Sequence, residues 1–272
     1  MELITIILSG FLSVFSNGGW IVDAIAKARL HSYFESAETL AVRVDNSPNY
    51  RLARGDVQKL RIASRGVYLR SDFRIASLEL ETDPIALDIA NLDTGNIEEL
   101  RESLQKPLQG AVSLTITERD LLNALQSKAI ITQLQTALNN LVASRAGATT
   151  VSYSIIDPKI ELSADNAIAI ELTLRREGTT TITNRDRELA IAINFGFDLI
   201  EGKKIEVTTL EGTVNNRPIS DRLLKGFAEG ISDRLDLTTI EKQGIFVRLL
   251  QLEIAEDRIN TIAFARLETK SR

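Results

Sequence analysis

The second half of the chain is dominated by strand-length stretches separated by short turns. Within these stretches apolar and polar residues alternate, which is typical of strands that bury one face of a sheet. Two of the separators, Asp165-Asn166 and Glu201-Gly202, have the composition of turns between neighbouring antiparallel strands. The pattern therefore predicts an antiparallel meander with strands at Val151–Ile156, Lys159–Ser163, Ala167–Arg175, Leu189–Ile200 and Lys203–Val214.

Side-chain size also alternates in the stretch Leu189–Ile200. Its odd-numbered positions are large and apolar, whereas the even-numbered positions 190, 192, 194 and 196 hold Ala, Ala, Asn and Gly. Large side chains on one face and small ones on the other favour a sheet that coils tightly around something on one side. We therefore expect this sheet to be strongly curved.

The first half of the chain and its last segment also contain strand signals. Gly66 interrupts one strand and indicates a bulge or bend. In the following strand Phe73 and Ile75 are odd whereas Leu78 and Leu80 are even, so a bulge is expected near Ala76-Ser77. The strands are predicted at Leu40–Asp45, Val57–Arg70 and Phe73–Asp83, with a closing hairpin of Ile245–Ile254 and Arg258–Leu267.

Helical periodicity occurs at both ends of the chain and in its middle. The stretch Thr117–Val142 has a very wide apolar face, and a helix of this kind has to be covered by a sheet or by lipid. Thr117 followed by Asp120 resembles a capping box at its start. Further helices are predicted at Trp20–Phe34, Asn96–Lys106 and Ile219–Leu235, which makes the fold class α+β.

The segment 1–19 differs from the rest because residues 3–15 are almost continuously apolar. The run is shorter than the ~20 residues of a membrane-spanning helix, and Glu2 stands where a secretory signal has positive charge. A core helix and a segment that dips into a membrane are equally consistent with it, and a cleaved signal is a third reading. No Pro- or Ser-rich linker divides the remainder, so 20–272 is predicted to be one domain.

The residue inventory argues against catalysis. The chain has no cysteine and one histidine, His31, which excludes thiol nucleophiles and Cys/His zinc sites. Neither a phosphate-binding glycine loop nor a nucleophile elbow is present. We therefore predict a non-enzymatic protein without a cofactor or a resident metal.

One acidic run qualifies that conclusion. Glu79, Glu81 and Asp83 share one face of a strand and could together hold Ca²⁺ or Mg²⁺ for a metal-assisted hydrolysis. A solvated strand face explains the same pattern, and it is the preferred reading because no turn-type ligand pattern accompanies the three carboxylates.

Basic residues are concentrated between residues 40 and 75, where eight of them stand against three acidic residues in a chain of net charge −5. One reading is attraction to anionic lipid headgroups. The other is an ordinary sheet face whose cations pair with the acidic stretch Glu79–Glu102. Nucleic acid is disfavoured by the acidic chain as a whole. The residues predicted to meet headgroups are Arg43, Lys59, Arg61 and Arg65.

Five short stretches of the sequence have a familiar composition and spacing. They are Val42-Arg-Val-Asp-Asn-Ser-Pro-Asn-Tyr50, Gly55, Arg65-Gly66, Leu78-Glu-Leu-Glu-Thr-Asp-Pro-Ile85 and Ser220-Asp-Arg-Leu-Leu-Lys-Gly-Phe-Ala-Glu-Gly-Ile-Ser232. Together they resemble the LmeA-like phospholipid-binding family, and within it a bacterial group classed as a domain of unknown function. The resemblance extends over most of the chain from about Trp20, including the closing hairpin, and consists of general sequence similarity with no catalytic signature.

The resemblance implies a fold related to tubular lipid-binding (TULIP-like) domains, in which a strongly curved antiparallel sheet wraps around a long apolar helix, with additional N- and C-terminal helices. It also implies phospholipid as the partner and a role at a membrane, on a periplasmic or a cytoplasmic face. In such a fold the acyl chains are expected to meet Leu121, Leu125, Ile191, Ile193 and Phe195. A module that docks a protein partner at the membrane is the alternative, since a fully packed interior would produce the same pattern.

Overall fold

A computed structural model describes residues 35–47, 51, 54–88, 97–136, 153–176 and 188–270. The first half of the chain and the closing hairpin form one antiparallel sheet. Its six strands are, in spatial order, β1 (Ser36–Asp45), β3 (Lys59–Arg70), β4 (Phe73–Thr82), β6 (Leu108–Thr117), β13 (Arg258–Leu267) and β12 (Ile245–Ile254).

The predicted meander forms a second antiparallel sheet of five strands, which confirms it. The first two predicted strands are a single strand, β7, whose register shifts between Ile156 and Lys159, where Asp157 has a φ of 50°. In spatial order the strands are β11 (Arg217–Pro218), β10 (Lys204–Val214), β9 (Glu188–Ile200), β8 (Ala167–Arg176) and β7 (Tyr153–Ser163); a separate small pair consists of β2 (Asp56–Val57) and β5 (Ile85–Ala86).

Helices are short in the part of the chain that the structure describes. The predicted C-terminal helix is confirmed as α3 (Asp221–Arg234), and the predicted helix at Asn96–Lys106 is confirmed as α1 (Ile97–Ser103). A 3₁₀ helix, η1 (Leu237–Gln243), follows α3 directly. The apolar segment 1–19 and the predicted helix Trp20–Phe34 lie outside the described residues.

The continuous helix predicted at Thr117–Val142 differs from the structure. Thr117 ends β6 and caps a helix of only eight residues, α2 (Glu118–Leu125). The helix then breaks, because the Ser127 hydroxyl accepts a hydrogen bond from the Ile130 N–H at 3.2 Å and starts a new helical stretch at 128–136. The predicted continuation from 137 to Val142 lies outside the described residues, and within the described residues no long helix is enclosed by a sheet.

The core lies against one face of the six-stranded sheet, here called the inner face. Residues that share a cross-strand row point to the same side, so their apolar side chains form continuous bands. Leu100 of α1 and Ile240 of η1 pack against these bands at one end of the sheet. One such row, from β1 to β12, is Val42, Ile62, Leu80, Val112, Ala263 and Leu249.

Gly66 marks a change in the side that β3 buries. Before Gly66 the buried residues of β3 stand at even positions, such as Ser64, whereas after it the odd position Val67 is buried. Gly66 has a φ of +58°, which a residue with a Cβ adopts only at a cost, and an added Cβ would collide with the Glu38 side chain. The predicted irregularity at Gly66 is therefore confirmed.

The predicted change of parity in β4 is also found, since Ile75 and Leu78 are both buried. The register between β3 and β4 shifts elsewhere, however, between Tyr68 and Arg70. The expected bulge at Ala76-Ser77 is thus replaced by a shift close to the β3–β4 turn.

A buried polar contact fixes α2 against the six-stranded sheet. Thr117 and Asp120 form the capping box predicted from the sequence, and the Asp120 residue is only 3% exposed. Arg74 Nη1 of β4 donates to both Asp120 carboxylate oxygens, at 3.0 and 3.1 Å. Arg74 Nη2 also donates to Glu38 of β1, at 2.9 Å, so one guanidinium ties two strands to the start of the helix.

The two sheets are joined through α2 and through turns of the second sheet. Glu118 of α2 accepts a hydrogen bond from the backbone N–H of Leu162 in β7, at 2.9 Å. At the other side, the Gly202 carbonyl accepts from Leu249 N–H of β12 at 2.8 Å. The backbone N–H of Leu249, on the edge strand β12, thereby has a hydrogen-bond partner.

We expect Asp120→Ala to lower the free energy of unfolding by about 2–4 kcal/mol, because it removes a helix cap and leaves Arg74 without its buried partner. Urea unfolding followed by circular dichroism measures this. Asp165→Ala, in the exposed turn between β7 and β8, is the control and should change stability by less than about 0.5 kcal/mol. Equal effects of the two variants would contradict the anchoring role of Asp120.

Candidate lipid-binding site

An apolar pocket opens on the inner face of the six-stranded sheet, between β4, β6, β13, β12 and η1. Its volume is about 140 Å³. It is lined by Leu80, Thr82, Leu108, Gln109, Gly110, Val112, Leu114, Leu237, Ile245, Val247, Leu249, Thr261, Ala263, Ala265, Arg266 and Leu267.

Small residues at the centre of the sheet create this pocket. Thr82, Gly110, Ala265 and Val247 form one cross-strand row, beside the row that contains Ala263. A Cβ at Gly110 would lie 2.6 Å from the Glu81 backbone carbonyl, so that position accepts no larger residue without a backbone shift. The inner face is therefore hollow at these small residues, whereas the neighbouring positions carry Leu and Ile.

The pocket lining offers apolar contact and little chemistry. The Thr82 hydroxyl accepts a hydrogen bond from Leu60 N–H at 3.2 Å and is thus already used. Arg266 is the charged residue among the described lining residues, and it pairs with Glu268 at 2.9 Å. A dry apolar cavity of about 150 Å³ is large enough for benzene, so a pocket of this size accommodates a short hydrocarbon segment.

The five residues predicted to meet acyl chains lie elsewhere. Leu121 and Leu125 are half-buried on α2, whereas Ile191, Ile193 and Phe195 lie on β9 in the second sheet. None of them lines the pocket.

The second sheet has an apolar face of its own. Ile193 of β9 lies opposite Ile170 of β8 and Gly212 of β10, and α3 covers this face at β10. A Cβ at Gly212 would lie 3.0 Å from Ile219 and 3.1 Å from Leu224, so the helix packs closely there. The alternation of side-chain size in Leu189–Ile200 thus corresponds to a face partly covered by a helix.

The basic residues of β1 and β3 point away from the pocket, because they alternate with inner-face residues. Arg61 pairs with Glu81 and with Asp45, each at 2.8 Å, and Lys59 pairs with Glu81 at 2.6 Å. Arg43 pairs with Asp45 at 2.6 Å. Pairing of these cations with the acidic strand, one of the two readings of the sequence, is confirmed for Lys59 and Arg61.

Hydrogen bonds from Lys59 and Arg61 lower the pKa of Glu81 below its ordinary value, and the bond from Lys59 has the larger effect. Asp83 accepts a hydrogen bond from Gln109 at 2.8 Å, and Glu79 is exposed on the same face. The described residues contain no group of three or more side chains placed to hold a metal ion. A metal role for the acidic run therefore gains no support from its geometry.

A comparison with family models identifies the chain. Residues 17–264 match the model of the family described as LmeA-like phospholipid-binding. The chain belongs to this family. No curated protein and no solved structure matches the chain in the corresponding searches.

Membership of the LmeA-like family gives the apolar pocket a chemical context, because the family is described by phospholipid binding. Among the described residues, no helix is long and apolar enough to span a membrane.

The sequence contains a signal for the pocket outside the strands predicted above. Strand β6 was not predicted, although Leu108, Gly110, Val112 and Leu114 alternate with other residues as an inner face requires. The small residues Ala263 and Ala265 have the same parity in the closing hairpin. What the sequence does not specify is that these positions lie beside each other, since this depends on the pairing of β6 with β13.

We expect Glu81→Gln to lower the thermal midpoint at pH 7, because it removes a carboxylate held by two cations. A carboxylate with a lowered folded pKa stabilises above its unfolded pKa of about 4.3, and that stabilisation is lost as the pH falls through the folded pKa. The difference between wild type and variant should therefore vanish in acid, which a series of melting curves from pH 7 to pH 2.5 measures.

Glu79→Gln is the matched control, since Glu79 lies two residues away on the same strand face and forms no ion pair with the described residues. An equal, pH-independent change in thermal midpoint for both substitutions would show that the ion pairs of Glu81 do not contribute to stability.

Proposed function

We propose that the protein is a non-enzymatic phospholipid-binding or lipid-carrying protein that works at a membrane. The observation that carries the proposal is the apolar pocket on the inner face of the six-stranded sheet, in a chain of a phospholipid-binding family. Sites for apolar ligands are concave, mostly apolar and few per protein, and this pocket fits that description.

The occupant of the pocket is proposed to be part of an acyl chain. A volume of about 140 Å³ is too small for a whole phospholipid, so the headgroup and the remaining hydrocarbon stay outside it. The scarcity of unpaired polar groups in the lining favours hydrocarbon over a sugar or a phosphate, because each polar ligand atom would lose its hydrogen bonds to water.

Leu121, Leu125, Ile191, Ile193 and Phe195 are proposed as a second apolar surface for lipid. Support comes from α2, which contacts β4, β6 and β7 and thus lies between the two sheets. A TULIP-like arrangement, with sheet wrapped around a helix, would join this surface to the pocket.

A binding role is favoured over catalysis by the chemistry at the pocket. The described lining residues include no carboxylate, histidine, serine or cysteine, which are the usual acids, bases and nucleophiles of hydrolysis. A bound ester would thus meet hydrocarbon and the hydroxyls of Thr82 and Thr261, without a base in the described lining to activate them.

Filling the pocket is the direct test. We expect the double variant Ala263→Leu/Ala265→Leu to carry at least ~10-fold less lipid than wild type, because the added side chains occupy the space of the acyl segment. Lipid is measured by native mass spectrometry and by chromatography of the extracted hydrocarbon, on protein purified from cells and after incubation with phospholipid vesicles.

The control is Ala111→Leu, which adds the same side chain at an exposed position on the opposite face of β6. It should carry lipid like wild type, with all three proteins folded by circular dichroism. Unchanged lipid in the filled variant would exclude this pocket. A wild-type protein free of lipid that instead co-purifies with a stoichiometric protein would favour the adaptor function.

Headgroup contact is proposed for Arg43, Lys59, Arg61 and Arg65. Arg65 is the most available of the four, because it is exposed and forms no ion pair with the described residues. It can therefore meet an anionic surface without breaking a contact.

We expect Arg65→Gln to weaken binding to vesicles with 30% phosphatidylglycerol by about 5-fold, which corresponds to ~1 kcal/mol per basic residue near such a surface. Vesicle sedimentation measures the affinity. Arg217→Gln, at an exposed position of β11, should leave it unchanged. Equal affinities of Arg65→Gln and wild type would remove Arg65 from the membrane-facing surface.

A further inference from the structure

Helix α3 has two apolar sides, of which one is covered by described residues and the other is not. Leu224 and Ser232 are buried against the second sheet, where the Ser232 hydroxyl accepts a hydrogen bond from Val207 N–H of β10 at 3.0 Å. Leu223 and Phe227 lie on the other side and are 37% and 48% exposed. Two large apolar side chains one turn apart thus face solvent on a helix whose other exposed residues are charged or glycine.

Two glycines complete this exposed side. Leu223, Gly226, Phe227 and Gly230 follow each other at intervals of three, one and three residues, which places them on one stripe of a helix. A Cβ added at Gly226 or at Gly230 would meet nothing within 4 Å. The stripe therefore alternates projections with hollows, and it is called the α3 stripe below.

We propose that the α3 stripe binds the α3 stripe of a second copy of this chain, in antiparallel orientation. With a two-fold axis between Gly226 and Phe227, each Phe227 lies opposite Gly226 of the partner subunit. Each Leu223 then lies opposite Gly230 of the partner subunit. A self-complementary surface of this kind is what a two-fold dimer requires.

Charge along one edge of the stripe fits the same orientation. Arg222 lies beside the N-terminal end of the stripe, whereas Glu229 and Asp233 lie on the same edge near its C-terminal end. Antiparallel pairing brings each Arg222 between these two carboxylates of the partner subunit, although Asp233 also lies 3.5 Å from Lys204 of its own chain. Parallel pairing would instead turn this edge toward the opposite edge of the partner helix, where Leu224 and Ile231 lie, and would leave Arg222 without these carboxylates.

The same charges argue against a membrane as the occupant. Arg222, Glu229 and Asp233 flank one edge of the stripe and Arg234 lies at its C-terminal end, so α3, with three acidic and three basic residues, has no net positive charge to attract anionic lipid. A membrane-binding helix normally carries Lys and Arg beside its apolar side. A single helix pair forms a small contact, and interfaces below about 1,200 Å² are typically weak or transient, so we expect a weak dimer with a dissociation constant on the order of 10 µM.

Sedimentation velocity from 1 to 200 µM tests the proposal. Wild type should shift from monomer to dimer over this range, and Phe227→Glu should raise the dissociation constant at least 10-fold. Leu250→Glu is the control, because Leu250 is 62% exposed on β12 and away from the stripe, and it should dimerise like wild type. A wild type that stays monomeric at every concentration overturns the proposal.

A charge exchange tests the orientation. Arg222→Glu should weaken the dimer about 5-fold or more, and the double variant Arg222→Glu/Glu229→Arg should restore it. Failure of the double variant to recover would refute the antiparallel pairing, since a merely structural effect of Arg222 is not rescued by a second charge change.

Disulfide trapping gives an independent readout, because the native chain has no cysteine. Gly226→Cys lies beside the proposed two-fold axis and should form a covalent dimer under mild oxidation with diamide. Lys225→Cys, exposed on the far side of the helix, should not. Equal trapping of both variants would indicate non-specific contact and would reject a second copy as the partner. A monomeric wild type whose vesicle binding is lost in Phe227→Glu would show that the stripe binds a membrane instead.

Discussion

The six strands of the larger sheet have to present their apolar side chains to the same side, and this constraint governs the rest of the structure. A shift of one residue in any pairing would move a strand's apolar set to solvent. The register from β1 to β12 keeps Ile62, Leu80, Val112 and Ala263 in one row, and α1 and η1 then cover that side. Where the row contains small residues, the same alignment leaves a pocket in place of a filled core.

The polar contact of Arg74 with Asp120 positions helix α2, which precedes the second sheet along the chain. The capping box alone would fix only the direction of α2, whereas the guanidinium holds the start of the helix against β4 and β1. Because α2 also bonds to β7 through Glu118, the position of the second sheet depends on this junction. The proposed lipid surface on α2 and β9 is thus coupled to the sheet that contains the pocket.

The outer surfaces of the two sheets differ in a way that bears on function. On the six-stranded sheet, cations and carboxylates neutralise each other around Glu81 and Asp45, so Arg65 alone of the four predicted headgroup residues is free of ion pairs within the described residues. On the second sheet, α3 leaves an apolar stripe uncovered by the described residues. The pocket and the stripe, which carry the two separate proposals, therefore lie on different sheets.

Much of the local structure could be predicted from the sequence. The alternation in Leu189–Ile200 identified a strand, Thr117 and Asp120 identified a helix start, and Gly66 identified a break. Each of these depends on residues close together in the chain. The predicted continuous helix was wrong because Ser127 caps a new helix, a choice between two local hydrogen-bonding states that periodicity does not resolve.

The sequence by itself determined the mixed α+β class, the meander and the absence of cysteine chemistry. Only the tertiary structure decided that Gly110, Ala263 and Ala265 lie side by side, and that Arg74 reaches Asp120. The physical reason is that a strand's pattern states which side is apolar but not which strand lies next to it. Neighbours far apart in the chain are chosen by packing of the whole sheet, and that choice placed the pocket.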